Sequence, residues 1–149
     1  MIKQTENQML DEILLNWIRY AVRRDIPLID VKDELILLNL CDMAQQHHVL
    51  PMVYESIWAT TAYRGLSVGY KSKLRTDALG SMLVQTRQTA MMLNWQSYWQ
   101  QNNLKALIFK GLICRQLYPE PDLRVSGDED IYIKTEEFER WDELLQKMG

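Results

Sequence analysis

Helical spacing through the first hundred residues, two short apolar runs after Lys105, and a composition of 47% hydrophobic and 25% charged side chains together indicate an α+β chain with a genuine core. The expected order is a multi-helix region over residues 1–103, with one long helix near 68–102, then strand, helix, strand and helix over 104–149. At 149 residues there is room for one compact domain, or one domain with part of another.

The first helix is expected from Thr5, where Leu10, Leu14, Trp17 and Ala21 recur at helical spacing and Thr5-x-x-Gln8 has the form of a capping box; it should stop before Pro27. A second helix is expected after Asp30 as N-cap, with Leu37, Cys41, Ala44 and His48 on one stripe and its end near His47 or His48. Pro51 suits the first turn of a third helix through Val53, Tyr54, Ile57 and Trp58, because a first-turn proline gives up an amide that had no partner. Gly65 and Gly69 mark a loop. From Ser67 or Tyr70 to about Gln101 there is no proline, and Leu79, Leu83, Thr86, Ala90, Leu93 and Ser97 keep helical spacing, as one helix or two broken near Gly80. Asn102-Asn103 is a suitable left-handed stop.

Ala106-Leu107-Ile108-Phe109 then reads as a buried strand closed by Lys110-Gly111, followed by a short helix from Leu112 to Tyr118. Pro119-Glu120-Pro121-Asp122 must be a loop. Ile131-Tyr132-Ile133 supplies the second strand, and Thr135-Glu136-Glu137 opens a last helix as an N-cap with two first-turn acids. The terminal Lys147-Met148-Gly149 ends a helix where another strand is due, and two strands alone make a marginal sheet, so the chain is expected to be truncated at its C-terminus.

Several function classes are excluded or disfavoured. The apolar runs are only a few residues long against the roughly 20 that a membrane span needs, and the N-terminus lacks the pattern of a secretory signal, so a cytoplasmic address is expected. Cys41 and Cys114 lack framework or metal spacing and read as reduced, buried thiols. The net charge of −3 is uneven: residues 1–118 carry 13 basic and 10 acidic side chains, residues 119–149 carry 4 and 10. Without an overall basic balance, nucleic acid is not an expected partner. Lys71, Lys73 and Arg75 form a basic cluster that reads as a solvated face.

The segment Gly127-Asp128-Glu129-Asp130-Ile131-Tyr132-Ile133 carries the chemistry. If a strand begins near Asp128, its period of two places Asp128, Asp130 and Tyr132 on one face and Glu129, Ile131 and Ile133 on the other. Two carboxylates about 7 Å apart along a strand are costly to leave together without a cation, and hard oxygen ligands of this kind suit a Mg²⁺ that also holds substrate phosphates. An Asp-x-Asp in an acidic segment also fits a solvated turn. The strand, Lys110-Gly111 and helix some twenty residues earlier form a turn whose amides can receive a phosphate, with Lys110 adding a cation; ordinary punctuation of the chain is the bland alternative.

Leu107-Ile108-Phe109-Lys110-Gly111, Leu117-Tyr118-Pro119, Arg124 and Gly127-Asp128-Glu129-Asp130-Ile131 together resemble the uncharacterised bacterial nucleotidyltransferases of the DNA polymerase β superfamily. That pattern is a strand ending in Lys-Gly, a Tyr-Pro loop, and an Arg before Asp-x-Asp. The helical half is also similar, through Ala44, His47-x-Val49-x-Pro51 and the long helix. The resemblance implies the start of a polymerase β-type mixed sheet, with Asp128 and Asp130 as ligands of Mg²⁺ or Mn²⁺. Lys110 and Gly111 would occupy the phosphate turn, and Arg124 would support the acidic strand or contact phosphate. The implied reaction transfers a nucleoside monophosphate from a nucleoside triphosphate to an acceptor hydroxyl whose identity the residues do not give. Glu129 departs from the family, standing where an aliphatic residue is usual. The third carboxylate of the superfamily would fall beyond Gly149, so the chain by itself is expected to bind weakly and not to turn over.

The alternative from another class is a non-catalytic helical interaction or nucleotide-binding module derived from that fold. His47-His48 reads as helix-end capping or packing, Trp95 and Trp99 as core, the methionines as gap-filling core, and Ser81, Ser97 and Ser126 lack the partners of a nucleophile.

Overall fold

The computed structural model describes residues 2–148, and the side chains of residues 7–147. The architecture is α+β: six helices and one two-stranded antiparallel sheet among the described residues. The elements are α1 (Ile2–Arg23), α2 (Glu34–Gln46), α3 (Leu50–Ala59), α4 (Val68–Gln101), β1 (Ala106–Phe109), α5 (Gly111–Arg115), β2 (Asp130–Ile133) and α6 (Phe138–Met148). The chain divides into two compact units, Met1–Leu83 with Leu123–Val125, and Val84–Asp122 with Ser126–Gly149.

In the first unit α1 presents Leu10, Leu14, Trp17 and Ala21 inward, the stripe expected from their spacing. The Thr5 side chain of the expected capping box, and Gly149 at the far end, lie outside the described residues. Trp17 is fully buried, and its indole Nε1 donates to the Ile29 carbonyl at 3.0 Å, so the polar edge of a large apolar side chain is satisfied as it leaves water. Asn16 fastens the same loop, donating to the Pro27 carbonyl at 3.2 Å and accepting from the Ile29 amide at 3.0 Å.

The N-cap of α2 is Asp33, not Asp30. Asp33 Oδ1 accepts the Leu35 and Ile36 amides at 2.8 and 3.1 Å. Asp30 is engaged elsewhere, accepting the Thr61 amide and hydroxyl, each at 2.7 Å, while the buried Val31 accepts the Ala62 amide. Those tertiary contacts hold residues 30–32 out of the helix. Leu37, Cys41 and Ala44 are buried as expected, whereas His48 is exposed in a left-handed conformation after the His47 C-cap. The α3 helix carries Pro51 in its first turn and buries Val53 and Ile57; Trp58 faces solvent. These side chains, with Leu74 and Ala78 of α4, make one core, in which each fully buried Leu, Ile or Val contributes about 1.5–3 kcal/mol relative to exposure.

Ser67 caps α4 by accepting the Tyr70 amide, so Gly69 lies within the helix, which continues unbroken through Gly80. Its inward residues are Leu74, Ala78, Gln85, Met92 and Trp99. Leu79, Leu83 and Leu93, which share the anticipated spacing, face outward. A helix with apolar residues on more than one side fixes the period but leaves the phase to tertiary packing.

In the second unit Asn103, with φ 54°, turns the chain out of α4. The sheet pairs Ala106 with Ile133, Leu107 with Tyr132, Ile108 with Ile131, and Phe109 with Asp130. One face, Ala106, Ile108, Ile131 and Ile133, packs on a core of Met92, Trp99, Leu104, Leu112, Trp141 and Leu144. Trp99 meets Trp95 and Trp141 edge to face, the latter at 4.7 Å between ring centres. Leu107, Phe109 and Tyr132 lie on the other face, exposed beside Asp130. Thr135 does not cap α6; Thr135–Glu137 forms a 3-10 turn that leads into it. Methionine gap-filling holds for the buried Met52 and Met92, while Met91 is exposed.

Candidate functional site

The antiparallel register brings the end of β1 against the start of β2, so Phe109 pairs with Asp130 and the next residue, Lys110, stands beside the acidic segment. Lys110 has φ 64° and ψ −149°, a backbone region that glycine fills readily and other residues avoid. Its carbonyl accepts the Ile113 amide at 2.8 Å, which starts α5 immediately after the turn. The Lys110 ammonium lies 2.6 Å from Asp130 Oδ2, with the lysine side chain 70% and the aspartate 35% exposed. The hydrogen bond that Lys110 donates to Asp130, with the charge of that carboxylate, holds Lys110 above the ordinary lysine range.

The strand begins at Asp130, two residues later than the acidic pattern suggested, so Asp128 lies in the segment before it and is exposed. The facing is nevertheless the anticipated one: Ile131 and Ile133 turn to the core and Tyr132 away from it, with Asp130 beside Lys110. Arg124 is half-buried in the segment Leu123–Val125 of the first unit. The expected helix from Leu112 to Tyr118 is shorter, Gly111–Arg115.

Glu129 goes inward. Its Oε2 accepts the Leu112 amide at 2.6 Å, and its Oε1 pairs with the guanidinium of Arg115, which is fully buried. Arg115 also donates to Gln85 Oε1 at 2.7 Å, and Gln85 is bonded to Ser126 through both ends of its amide, accepting from the Ser126 nitrogen at 3.1 Å and donating to its carbonyl at 3.2 Å. Gly111, with φ 31°, is the residue this arrangement requires: a Cβ there would run into the Glu129 carboxylate and stand 2.7 Å from the Asp128 carbonyl. The Leu112 amide, which a phosphate turn would offer to its ligand, is thus committed to the chain's own carboxylate.

The residues missed in the sequence are therefore Arg115, Gln85 and the inward role of Glu129. A signal exists for the two charges, though not for Gln85 or for the contact among the three. Glu129 shares its strand phase with Ile131 and Ile133, and Arg115 follows Leu112 by three on a short helix, so each charge falls on an inward face and demands an opposite partner.

Asp128 and Asp130 supply hard oxygen donors, the set that suits Mg²⁺ or Mn²⁺ bound through one or two carboxylates plus substrate phosphates and water. Among the described residues no group of three or more His, Cys, Asp or Glu side chains is placed to hold a metal ion. A cleft of about 530 Å³ runs beside β1, lined by Trp99, Gln100, Leu107, Leu112 and Gln116 among others; Lys110, Asp128 and Asp130 are not in its walls, so the site follows side-chain chemistry and not this cleft. Cys41 is buried, whereas Cys114 is only half-buried, contrary to expectation, and both are free thiols. Burial, followed by the charge of Asp42, pushes the Cys41 thiol up to about 12, which makes it a poor nucleophile. No helix among the described residues is long and apolar enough to cross a membrane.

Neither the curated proteins nor the solved structures contain a match to the chain. A family model described as uncharacterised nucleotidyltransferase matches residues 37–149, three quarters of the sequence and all of the elements from α2 onward apart from its first turn. The chain belongs to this uncharacterised nucleotidyltransferase family.

Proposed function

We propose that the chain carries the metal- and phosphate-binding part of a polymerase β-type nucleotidyltransferase core, acting in the transfer of a nucleoside monophosphate from a nucleoside triphosphate to an acceptor hydroxyl. The observation that carries the reading is the Lys110–Asp130 pair, a cation on a strained turn held against a carboxylate beside a second, exposed carboxylate, Asp128. Strained non-glycine backbone concentrates at functional sites, because packing alone gives no reason to keep it.

Asp128 and Asp130 would hold Mg²⁺ or Mn²⁺. When bound, such a cation supplies charge neutralisation at the triphosphate and polarises the phosphoryl group. The chain's own residues then have separable tasks. Asp130 is preset by its pairing with Phe109. Lys110 pairs with Asp130 in the protein as it stands; were Asp130 to hold a cation, the Lys110 ammonium would be free to serve the phosphates. Phosphate contact is assigned to the Lys110 side chain, because the Leu112 amide already serves Glu129. Gly111 keeps the turn tight, and Arg124 retains the supporting or phosphate-contacting task that the family resemblance implies.

Equilibrium dialysis of the four ribonucleoside triphosphates, with and without Mg²⁺, tests the reading. Retention of at least one of them only with Mg²⁺, and its loss in Lys110→Ala, is expected. Retention independent of metal would favour a nucleotide-binding module without chemistry.

A further inference from the structure

We propose that Glu129 is a positioning residue: through Arg115 and Gln85 it fixes the approach to β2 so that Asp128 and Asp130 face a common cation. The inference rests on the nucleotidyltransferase reading and adds a component to it.

The approach to β2 is anchored on both sides of Asp128. Before it, the Ser126 backbone makes two hydrogen bonds with the Gln85 amide. After it, the Glu129 carboxylate is held by the Leu112 amide and by Arg115. Both anchors meet in one buried cluster, since Arg115 bridges Gln85 and Glu129. Only Gly127 and Asp128 span the interval; a Cβ at Gly127 would touch nothing within 4 Å, while the Asp128 carbonyl lies close against Gly111, so the stretch is held from its ends and by that one backbone approach. Beyond Glu129 the sheet takes over, with Asp130 paired to Phe109.

A buried arginine–carboxylate pair is a poor device for stability alone, because apolar side chains of similar volume often serve as well or better. What the pair provides that an aliphatic residue at 129 cannot is direction. A carboxylate with both oxygens committed inward prevents the three-acid run Asp128-Glu129-Asp130 from rotating to put Glu129 outward. The same contact fixes the Lys110–Gly111 turn to the acidic strand, through Leu112 on one side and the absent Cβ of Gly111 on the other. Glu129, Arg115 and Gln85 act through the two aspartates and need not touch substrate.

The test uses the ¹⁵N-labelled chain and Mn²⁺ alone, read by paramagnetic broadening of the amides of Lys110, Asp128, Glu129 and Asp130. In the wild type the broadening is expected to saturate and to vanish in Asp128→Asn/Asp130→Asn. In the apolar pair Arg115→Met/Glu129→Leu a folded chain with only a small loss of thermal stability is expected, with Mn²⁺ affinity weakened at least ten-fold. Wild-type affinity in that stable pair would overturn the positioning role and leave the metal assignment standing. Broadening in the wild type that ignores Asp128→Asn/Asp130→Asn would overturn both. If the apolar pair does not fold, Glu129→Gln serves in its place. Its side chain can still accept one bond but carries no charge for Arg115, so a ten-fold loss supports the role and an unchanged affinity contradicts it.

Discussion

Lys110 and Asp130 form an ion pair at 2.6 Å where the end of β1 meets the start of β2, and the lysine that makes it sits in a backbone conformation suited to glycine. Strain and charge therefore meet in one side chain. If the conformation served only to turn the chain, glycine would serve better; on the proposed reading the side chain is kept for its ammonium.

Lys110→Gly accordingly separates stability from function. Glycine relieves the unfavourable φ and ψ, and the exposed ion pair it removes contributes little to folding. Thermal unfolding is expected at a higher midpoint than in the wild type, together with weaker Mg²⁺-dependent retention of nucleoside triphosphate. A lower midpoint with unchanged retention would contradict the assignment.

Gly111→Ala acts in the opposite sense, because its Cβ would collide with the Glu129 carboxylate at a positive φ. A loss of about 2 kcal/mol in urea unfolding is expected, combining left-handed strain with the displaced carboxylate. Part of that cost belongs to the contact. In a double-mutant cycle with Glu129→Ala the two losses should fall short of additivity by about 1 kcal/mol or more.

Arg115→Met alone leaves Glu129 facing inward with one partner removed, and Glu129→Leu alone strands a fully buried guanidinium. Each single substitution is expected to cost about 3–5 kcal/mol. The two together should cost much less, since the apolar replacements leave no buried charge. Chemical denaturation of the four proteins checks the pattern.

The two halves of the chain were unequally legible in sequence. Helix α1 could be read to its buried stripe because Leu10, Leu14, Trp17 and Ala21 are its clearest apolar positions. The α2 cap was misplaced because Asp30 and Asp33 are both good caps locally, and only Thr61, thirty-one residues away, decides between them. The site showed the same division. The facing of Asp130 and Tyr132 followed from a period of two, and the Lys110–Gly111 turn from its residue types. The Glu129–Arg115–Gln85 cluster required a contact between an approach segment, a five-residue helix and the interior of α4 that no local pattern encodes. Position 129 is inward as an aliphatic residue would be, but it carries a carboxylate because Arg115 and the Leu112 amide lie opposite it.

Alkaline stability gives an independent check on the first unit. Burial raises the folded Cys41 thiol to about 12 from an ordinary value near 9, so above that ordinary value the unfolded chain releases a proton that the folded one keeps. Stability should therefore fall as pH rises between about 9 and 12, by up to about 1.4 kcal/mol per pH unit from this group. Tyr63 and Tyr70, also raised to about 12 by burial, add to the fall above pH 10. The slope measured by urea unfolding should be shallower in Cys41→Ala, and iodoacetamide at pH 8.5 should alkylate Cys114 well before Cys41.

On the proposed function, Asp128 and Asp130 form a divalent-metal site for a triphosphate. Calorimetric titration of a nucleoside triphosphate in saturating Mg²⁺, into the wild-type chain and into Asp128→Asn/Asp130→Asn of matched stability, tests it most directly. A binding isotherm is expected for the wild type that disappears when either Mg²⁺ or the two carboxylates are removed. An isotherm unchanged by the double substitution would contradict it.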